Sequence, residues 1–151
     1  LGGQVEYALI GEHGDLSKLL PRAHLVLVDS PCTGLGTLRR NPEAKNRYGE
    51  KDVRRFQSLQ LEILERFASL VRPRGRLIYV TCSFLEAECD EVVRLFEERH
   101  PEFVPSPSFW ASKRLPAACL DGHKIRLGPS ISGTDAFFIA SWKLEKQAGE
   151  D

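Results

Sequence analysis

The sequence lacks the cysteine and histidine spacings that hold structural metals. It contains four cysteines among 151 residues, no two of them in a C-x-x-C pair, and no histidine at zinc-finger spacing. A structural metal site is therefore not expected, and the cysteines are too few for a small secreted disulfide scaffold. No apolar run approaches the roughly 18 residues of a membrane-spanning helix, and no signal peptide is recognisable. We expect a cytoplasmic protein with free thiols.

Net charge is also absent, but the charges are unevenly distributed along the chain. The 21 Lys and Arg residues balance 21 Asp and Glu residues. Between Arg39 and Arg76, however, eleven basic residues accompany only five acidic ones. A basic stripe in a neutral protein is a candidate surface for a polyanion, and the alternative interpretation is a solvated helix face. At this length we expect one domain with a substantial core.

Hydrophobic periodicity predicts strands that alternate with helices. Four apolar, strand-like runs occupy residues 5–10, 24–28, 77–80 and 136–142. Helical spacing covers two segments, residues 52–72 and 86–99. The run at 24–28 has the pattern of a strand covered on both faces. Asp52 is the expected N-cap of the first helix, and Pro73 and Gly75 are its expected terminators. With a loop at 105–116, this order predicts an α/β protein with a mostly parallel sheet and flanking helices.

Two of the cysteines follow directly on predicted strands. Asp29 closes the first of these strands, and Cys32 lies three residues further along; Cys82 follows the next strand. In an open parallel sheet, ligands bind outside the carboxyl ends of the strands, so a thiol at this position is accessible and can react. Cys89 falls in a predicted helix and Cys119 in a loop, and we assign no role to either.

The residues around these cysteines form an ordered set of motifs. In chain order the set comprises DSPCTG at 29–34, GTLRRNPEAK at 36–45, LQLEIL at 59–64, TCS at 81–83 and GTDAFF at 133–138. One such peptide is a weak signal, but the ordered set resembles the RsmB/Nop2/Sun family of RNA 5-methylcytosine methyltransferases. The resemblance implies the C-terminal half of a Rossmann-like, S-adenosylmethionine-dependent methyltransferase fold.

The resemblance also implies roles for individual residues. Cys82 is expected to be the thiolate that adds to cytosine C6, which raises electron density on C5 and lets C5 take a methyl group. Cys32 is expected to assist release of the methylated RNA, and Asp29 to contact the target base. Asp15, Asp29 and Pro31 are assigned to binding of S-adenosylmethionine. The residues alone do not rank the two thiols.

The basic loop supplies the candidate RNA contacts. By the resemblance, Arg39, Arg40, Lys45 and Arg47 are expected to hold phosphates. The first three are also candidates for the positive field that lowers the pKa of a reactive thiol. A base inside a helix is out of reach, so the target cytosine must be single-stranded or extruded. Ribosomal RNA is the expected substrate, and transfer RNA is the second candidate.

One feature of the family is missing from this sequence. The family's cofactor-binding front half carries a Gly-Gly-Lys loop, whereas Gly2 and Gly3 here are not followed by lysine. Residues 1–142 are therefore expected to be the C-terminal portion of the catalytic domain, with a polar tail at 143–151. An unpaired sheet edge would then favour self-association, and S-adenosylmethionine would bind weakly or not at all.

Other functions stay open at this point. An amino-group methyltransferase carries Asp/Asn-Pro-Pro-Tyr/Phe at the strand end, where this chain has Ser30, Pro31 and Cys32. A non-catalytic RNA-binding or assembly fragment would keep the fold without turnover, and the missing cofactor loop favours it for this chain. A thiol redox protein is disfavoured because the chain has no C-x-x-C pair.

Overall fold

The computed structural model describes Leu16 and residues 23–145, apart from the side chains at 109 and 110. The predicted strand at 5–10 and the candidate cofactor residue Asp15 lie outside the described residues. The strands are β1 (Ala23–Asp29), β2 (Val71–Thr81), β3 (Phe103–Pro105), β4 (Leu120–Asp121), β5 (Lys124–Leu127) and β6 (Phe137–Leu144). The helices are α1 (Glu50–Ala68), α2 (Asp90–Arg99) and α3 (Phe109–Arg114). Short 3-10 turns lie at Leu35–Thr37, Pro42–Asn46, Glu86–Glu88 and Ala117–Cys119. In this described part, no helix has the length and apolarity needed to cross a bilayer.

The described strands form one mixed sheet in the order β1-β2-β6-β5-β4, with β3 also paired to β6. The α/β class is confirmed, but the expectation of a mostly parallel sheet is wrong for these residues. Only β1 and β2 pair in parallel, and the other pairings are antiparallel. The reason is the length of the connections. A parallel crossover needs a helix-sized connection, which α1 provides, whereas β4, β5 and β6 follow one another through short turns.

Helix α1 begins and ends earlier than its sequence pattern indicates. The cap residue is Gly49, and its backbone N–H donates to the Asp52 carboxylate at 3.0 Å. Asp52 is therefore the third residue of the helix and not its N-cap, because a carboxylate there can reach back to the free N–H of the first turn. The helix ends at Ala68, and Pro73 and Gly75 lie in strand β2 instead.

The loop predicted at 105–116 also contains regular structure, since β3 ends at Pro105 and α3 occupies part of it. Strands β4 and β5 are short, two and four residues, and the sequence analysis missed both. Strand β6 runs to Leu144, so Lys143 pairs within the sheet, opposite Arg76 of β2, and does not belong to a tail.

Both long helices pack against one face of the sheet. On that face, Val26 of β1 and Tyr79 of β2 join Leu64 of α1 and Phe96 of α2 in the hydrophobic core. The opposite side chains of β1 are open to solvent: Leu25 is 51% exposed and Leu27 is 57% exposed. The expectation that β1 is covered on both faces is therefore wrong for the described residues. Strand β1 is also the end of the described strand order, so this apolar face lies beside a sheet edge.

Candidate active site

The two cysteines that follow β1 and β2 meet at the carboxyl end of the sheet. The parallel register places Asp29 opposite Val80, and the Ser30 N–H continues the ladder to the Val80 carbonyl at 3.0 Å. Both chains then leave the sheet on the same side. The sulfurs of Cys32 and Cys82 lie 3.1 Å apart, and both thiols are free and partly buried. The two thiols that the sequence places after predicted strands therefore lie in contact with each other.

A direct backbone bond holds the loop after β1 against the residue that carries the second thiol. The Gly36 N–H donates to the Cys82 carbonyl at 2.9 Å, and the Gly36 carbonyl accepts from Ala136 N–H at 2.9 Å. A Cβ atom at Gly36 would lie 2.7 Å from the Cys82 carbonyl oxygen and closer still to the Ala136 carbonyl. Only glycine permits this approach. Gly34 serves differently, because its own φ of 71° lies in the left-handed region just before the 3-10 turn at Leu35–Thr37.

A buried carboxylate that the sequence analysis missed lies behind the two thiols. One oxygen of Glu88, Oε1, accepts from the Thr33 N–H at 2.8 Å and from Gln60 Nε2 at 3.2 Å. The other, Oε2, accepts from the Thr33 hydroxyl at 2.6 Å and the Ser83 hydroxyl at 2.5 Å. The Glu88 side chain is fully buried. One signal was available: Glu88 is four residues before Val92 and therefore lies on the apolar face of the predicted helix.

The two thiols share a hydrogen bond, so they titrate together. The bond from Cys82 lowers the pKa of Cys32 to about 6, although burial raises it. The same bond, together with burial and the charge on Cys32, raises the pKa of Cys82 well above the ordinary thiol range. The pair therefore loses one proton near neutral pH and holds the second, and the remaining proton lies between the two sulfurs. A dithiol in this state carries a thiolate, which is the nucleophilic form of cysteine.

The acidic and proline candidates of the first loop lie at the outer rim of this site. Asp29 is exposed at the carboxyl end of β1, and its charge raises the pKa of Cys82. Pro31 is exposed, and its carbonyl accepts from Gln60 Nε2 at 2.9 Å. The third candidate for the cofactor, Asp15, lies outside the described residues. Within the described ranges, no group of three His, Cys, Asp or Glu side chains could hold a metal ion.

The basic candidates lie further from the sulfurs. Arg39 and Arg40 pair with Asp135 at 3.4 Å and 2.5 Å, and both arginine side chains are exposed. Asp135 lies two residues before β6, so this contact joins the basic loop to the segment that leads into the final strand. Lys45 and Arg47 are exposed in and just after the 3-10 turn. The main causes of the two thiol pKa shifts are hydrogen bonds and burial, and no basic residue is among them. The expected role of the basic loop in thiol activation is therefore not supported by the structure.

A cavity of about 270 Å³ lies beside Ser83, the residue that follows Cys82 in the sequence. Its lining includes Ser83, Phe84, Arg126, Ile131 and Phe138. The Phe84 ring is 56% exposed, and Arg126 lies over the Phe138 ring at 4.9 Å. The cavity is therefore mixed apolar and cationic, and neither Cys32 nor Cys82 is among its lining residues.

Comparisons with known proteins agree with this geometry. The family model for "16S rRNA methyltransferase RsmB/F" matches residues 12–143. The chain is 40% identical over 122 residues to a probable ribosomal RNA small subunit methyltransferase B of Bacillus subtilis, covering 78% of this chain and 27% of that protein. It is 46% identical over 94 residues to ribosomal RNA small subunit methyltransferase B of Thermus thermophilus, covering 62% of this chain and 24% of that protein.

A solved structure shows the same fold. A methyltransferase homolog protein from Pyrococcus horikoshii aligns with a TM-score of 0.64 at 27% identity, covering 85% of this chain and 41% of that chain. The expected Rossmann-like methyltransferase fold is thereby confirmed. The chain spans about a quarter of the length of the two curated relatives. From the family match over residues 12–143, the chain belongs to the 16S rRNA methyltransferase RsmB/F family.

Proposed function

We propose that the chain carries the catalytic thiols of an S-adenosylmethionine-dependent RNA cytosine-C5 methyltransferase, with ribosomal RNA as its substrate. The observation that carries this proposal is the 3.1 Å contact between Cys32 and Cys82. Methylation of an amino group requires no thiol, whereas methylation of a pyrimidine carbon does, because C5 is a poor nucleophile until a nucleophile has added to C6. The names of the Bacillus and Thermus relatives support ribosomal RNA as the substrate class.

In the proposed reaction Cys82 forms the covalent bond. The shared proton passes from Cys82 to Cys32, and the Cys82 thiolate adds to C6 of an unstacked cytosine. A carbon–sulfur bond forms, and the electron pair of the C5–C6 double bond shifts to C5. S-adenosylmethionine, when bound, supplies an electrophilic methyl group. Transfer of the C5 proton to a solvent water then restores the double bond and expels Cys82 as a thiolate.

Cys32 is suited to assist both the attack and the release. At 3.1 Å from Cys82, its S–H can donate a hydrogen bond to the thiolate before addition and after expulsion. A thiolate that is stabilised in this way is the better leaving group. The exposed Asp29 carboxylate lies on the same edge of the sheet. Its proposed role is a hydrogen bond to the base, where it would compensate the charge that develops during the attack on C6.

The described residues fit one side of a cofactor site. Asp29 and Pro31 line the exposed carboxyl end of β1, which is where a parallel α/β sheet binds its ligand. With Asp15, they are the residues proposed to hold S-adenosylmethionine. The exposed Asp29 carboxylate offers acceptors of the kind that a ribose hydroxyl or an adenine amino group requires.

The basic loop is proposed to hold the RNA backbone. Arg39 and Arg40 are exposed but anchored by Asp135, so their guanidinium groups are partly ordered before RNA binds. Lys45 and Arg47 extend the same positive surface. Phosphate contacts of this kind fix the register of the RNA, while the site near Cys82 takes the extruded base.

The test is trapping with RNA that contains 5-fluorocytosine, whose fluorine cannot leave as a cation and so preserves the bond between sulfur and C6. A protein in which residues 12–143 replace the matching segment of the Thermus relative is incubated with S-adenosylmethionine and small-subunit ribosomal RNA. We expect a covalent adduct with the unmutated segment and with Cys32→Ala, and none with Cys82→Ala. An adduct that persists in Cys82→Ala would contradict the assignment of the nucleophile.

The same experiment separates the remaining alternatives. An adduct with transfer RNA but not with ribosomal RNA would change the substrate class. RNA binding without any adduct, while the relative's own segment forms one, would indicate a non-catalytic RNA-binding or assembly role for this chain.

A further inference from the structure

The Glu88 side chain contacts both loops that carry a thiol. Thr33 is the residue after Cys32, and it donates two hydrogen bonds to the Glu88 carboxylate. Ser83 is the residue after Cys82, and it donates a third. The carboxylate therefore bonds the residue that follows each sulfur-bearing residue. It joins the two loops in addition to the backbone bond between Gly36 and Cys82.

A carboxylate is a costly group to bury, so its presence here requires a reason. Glu88 is fully buried, and donors from Thr33, Gln60 and Ser83 compensate for the lost hydration. A neutral side chain could also join the two loops, since hydroxyl groups can accept as well as donate. What the position requires is a side chain long enough to reach both loops, and Glu88 meets that requirement.

We propose that Glu88 is a positioning residue for the dithiol, because its carboxylate fixes the separation of the sulfurs through Thr33 and Ser83. The proposal rests on the proposed function only in the claim that these thiols do chemistry. It is tested without RNA and without S-adenosylmethionine, so a failed adduct assay leaves it unaffected.

The spacing is measured as the equilibrium between the full chain and glutathione disulfide. One glutathione disulfide is reduced to two glutathione thiols, the two cysteine sulfurs form one S–S bond, and their protons pass to glutathione. The equilibrium constant gives the effective concentration of one thiol at the other. We expect Glu88→Asp, whose shorter side chain cannot reach both loops, to lower it at least about tenfold, the ratio that loss of one charge-assisted hydrogen bond represents.

Tyr79→Phe is the matched control. The Tyr79 hydroxyl donates to the backbone carbonyl of Glu88 at 2.7 Å, so this variant loses a buried bond on the same residue without touching its carboxylate. We expect it to destabilise the fold but to leave the effective concentration within about threefold. An equal loss in both variants would overturn the proposal. If Glu88→Asp does not fold, Thr33→Val removes the hydroxyl bond on the Cys32 side alone and must still lower the effective concentration.

The conservative variant is Glu88→Gln, which keeps the length of the side chain. We expect its effective concentration to stay within about threefold of the unmutated chain, because the amide can bond the same groups in both loops. A fall as large as that of Glu88→Asp would contradict the proposal that the length of this side chain sets the separation of the sulfurs.

Discussion

The Gly36 N–H and the Cys82 carbonyl are joined by a 2.9 Å hydrogen bond, so the first loop is attached directly to the second thiol residue. We predict that Gly36→Ala lowers the free energy of unfolding by about 3 kcal/mol, because the added methyl overlaps two carbonyl oxygens. Gly34→Ala is the control. It has open space around the new methyl and only the strain of a positive φ, which costs about 1 kcal/mol. Urea denaturation measures both, and equal losses would contradict the steric explanation.

Removal of one thiol should return the other to ordinary behaviour. In Cys82→Ala, Cys32 loses the hydrogen bond that holds its pKa at about 6, so we expect its pKa to rise towards about 8.5. The thiolate fraction at pH 7 then falls by roughly thirtyfold. Alkylation by iodoacetamide as a function of pH, with the site identified by mass spectrometry, measures this change. Cys119→Ala, at a buried thiol remote in sequence, is the control that should leave the midpoint unchanged.

The start of α2 carries an ion pair that links it to β5. Burial raises the pKa of Asp90, but hydrogen bonds from Arg126 and Lys124 lower it by more than burial raises it. The resulting pKa is below the usual range of an aspartate. A depressed carboxyl pKa stabilises the fold above the unfolded value of about 3.9, and the contribution is lost as pH falls below it. Because Asp90 and its two partners are only partly buried, solvent screens the pair and we expect only about 1 kcal/mol.

The measurement is the free energy of unfolding of Asp90→Asn and the unmutated chain between pH 7 and pH 3. The difference between the two proteins should shrink as the pH falls, since the carboxyl that distinguishes them becomes neutral. Glu62→Gln, at an exposed site on α1, is the control for a simple change in net charge. A difference that stays constant down to pH 3 would exclude the ion pair as the cause.

The exposed apolar face of β1 should drive association between copies of the chain. Leu25 and Leu27 are both more than half exposed, and they lie together at an end of the described sheet. We expect a concentration-dependent increase in sedimentation coefficient, and its suppression by Leu27→Lys, because a charge on an edge strand opposes pairing. Leu59→Lys changes a leucine that is 37% exposed on α1 and should not have this effect. A chain that sediments as a monomer at every concentration would contradict this prediction.

The sequence was sufficient to predict the meeting of the thiols but not the group behind them. Cys32 and Cys82 follow apolar runs, and parallel neighbouring strands bring such positions together whatever the details of packing. Glu88 contacts Thr33, 55 residues away, and Gln60, 28 residues away. Local periodicity contains no information on partners at such distances. A charged residue on an apolar helix face was the one visible sign.

The predicted end of helix α1 at Pro73 and Gly75 was wrong for a physical reason. Pro73 and Gly75 are strong helix terminators, yet they lie inside β2, where the register shifts between Ala23 and Leu25 of β1. Residues 72–75 form an irregular stretch opposite a single residue, and Arg74 adopts a φ of 64° there. Proline needs no ladder bond in such a bulge. Proline and glycine in a sequence indicate a break in regular structure, but they do not distinguish the end of a helix from a bulge in a strand.

The parallel pairing of β1 with β2 makes the reactivity of the two thiols depend on the register of these strands. Each residue of slippage along a strand moves a side chain by about 3.3 Å and turns it to the opposite face. A slip of one position after the bulge would therefore roughly double the distance between the two sulfurs while most of the sheet survived. Loss of the contact between the two sulfurs therefore reports a shifted register more sensitively than loss of secondary structure does. The return of the native register during refolding can be followed by the reactivity of these two sulfur atoms.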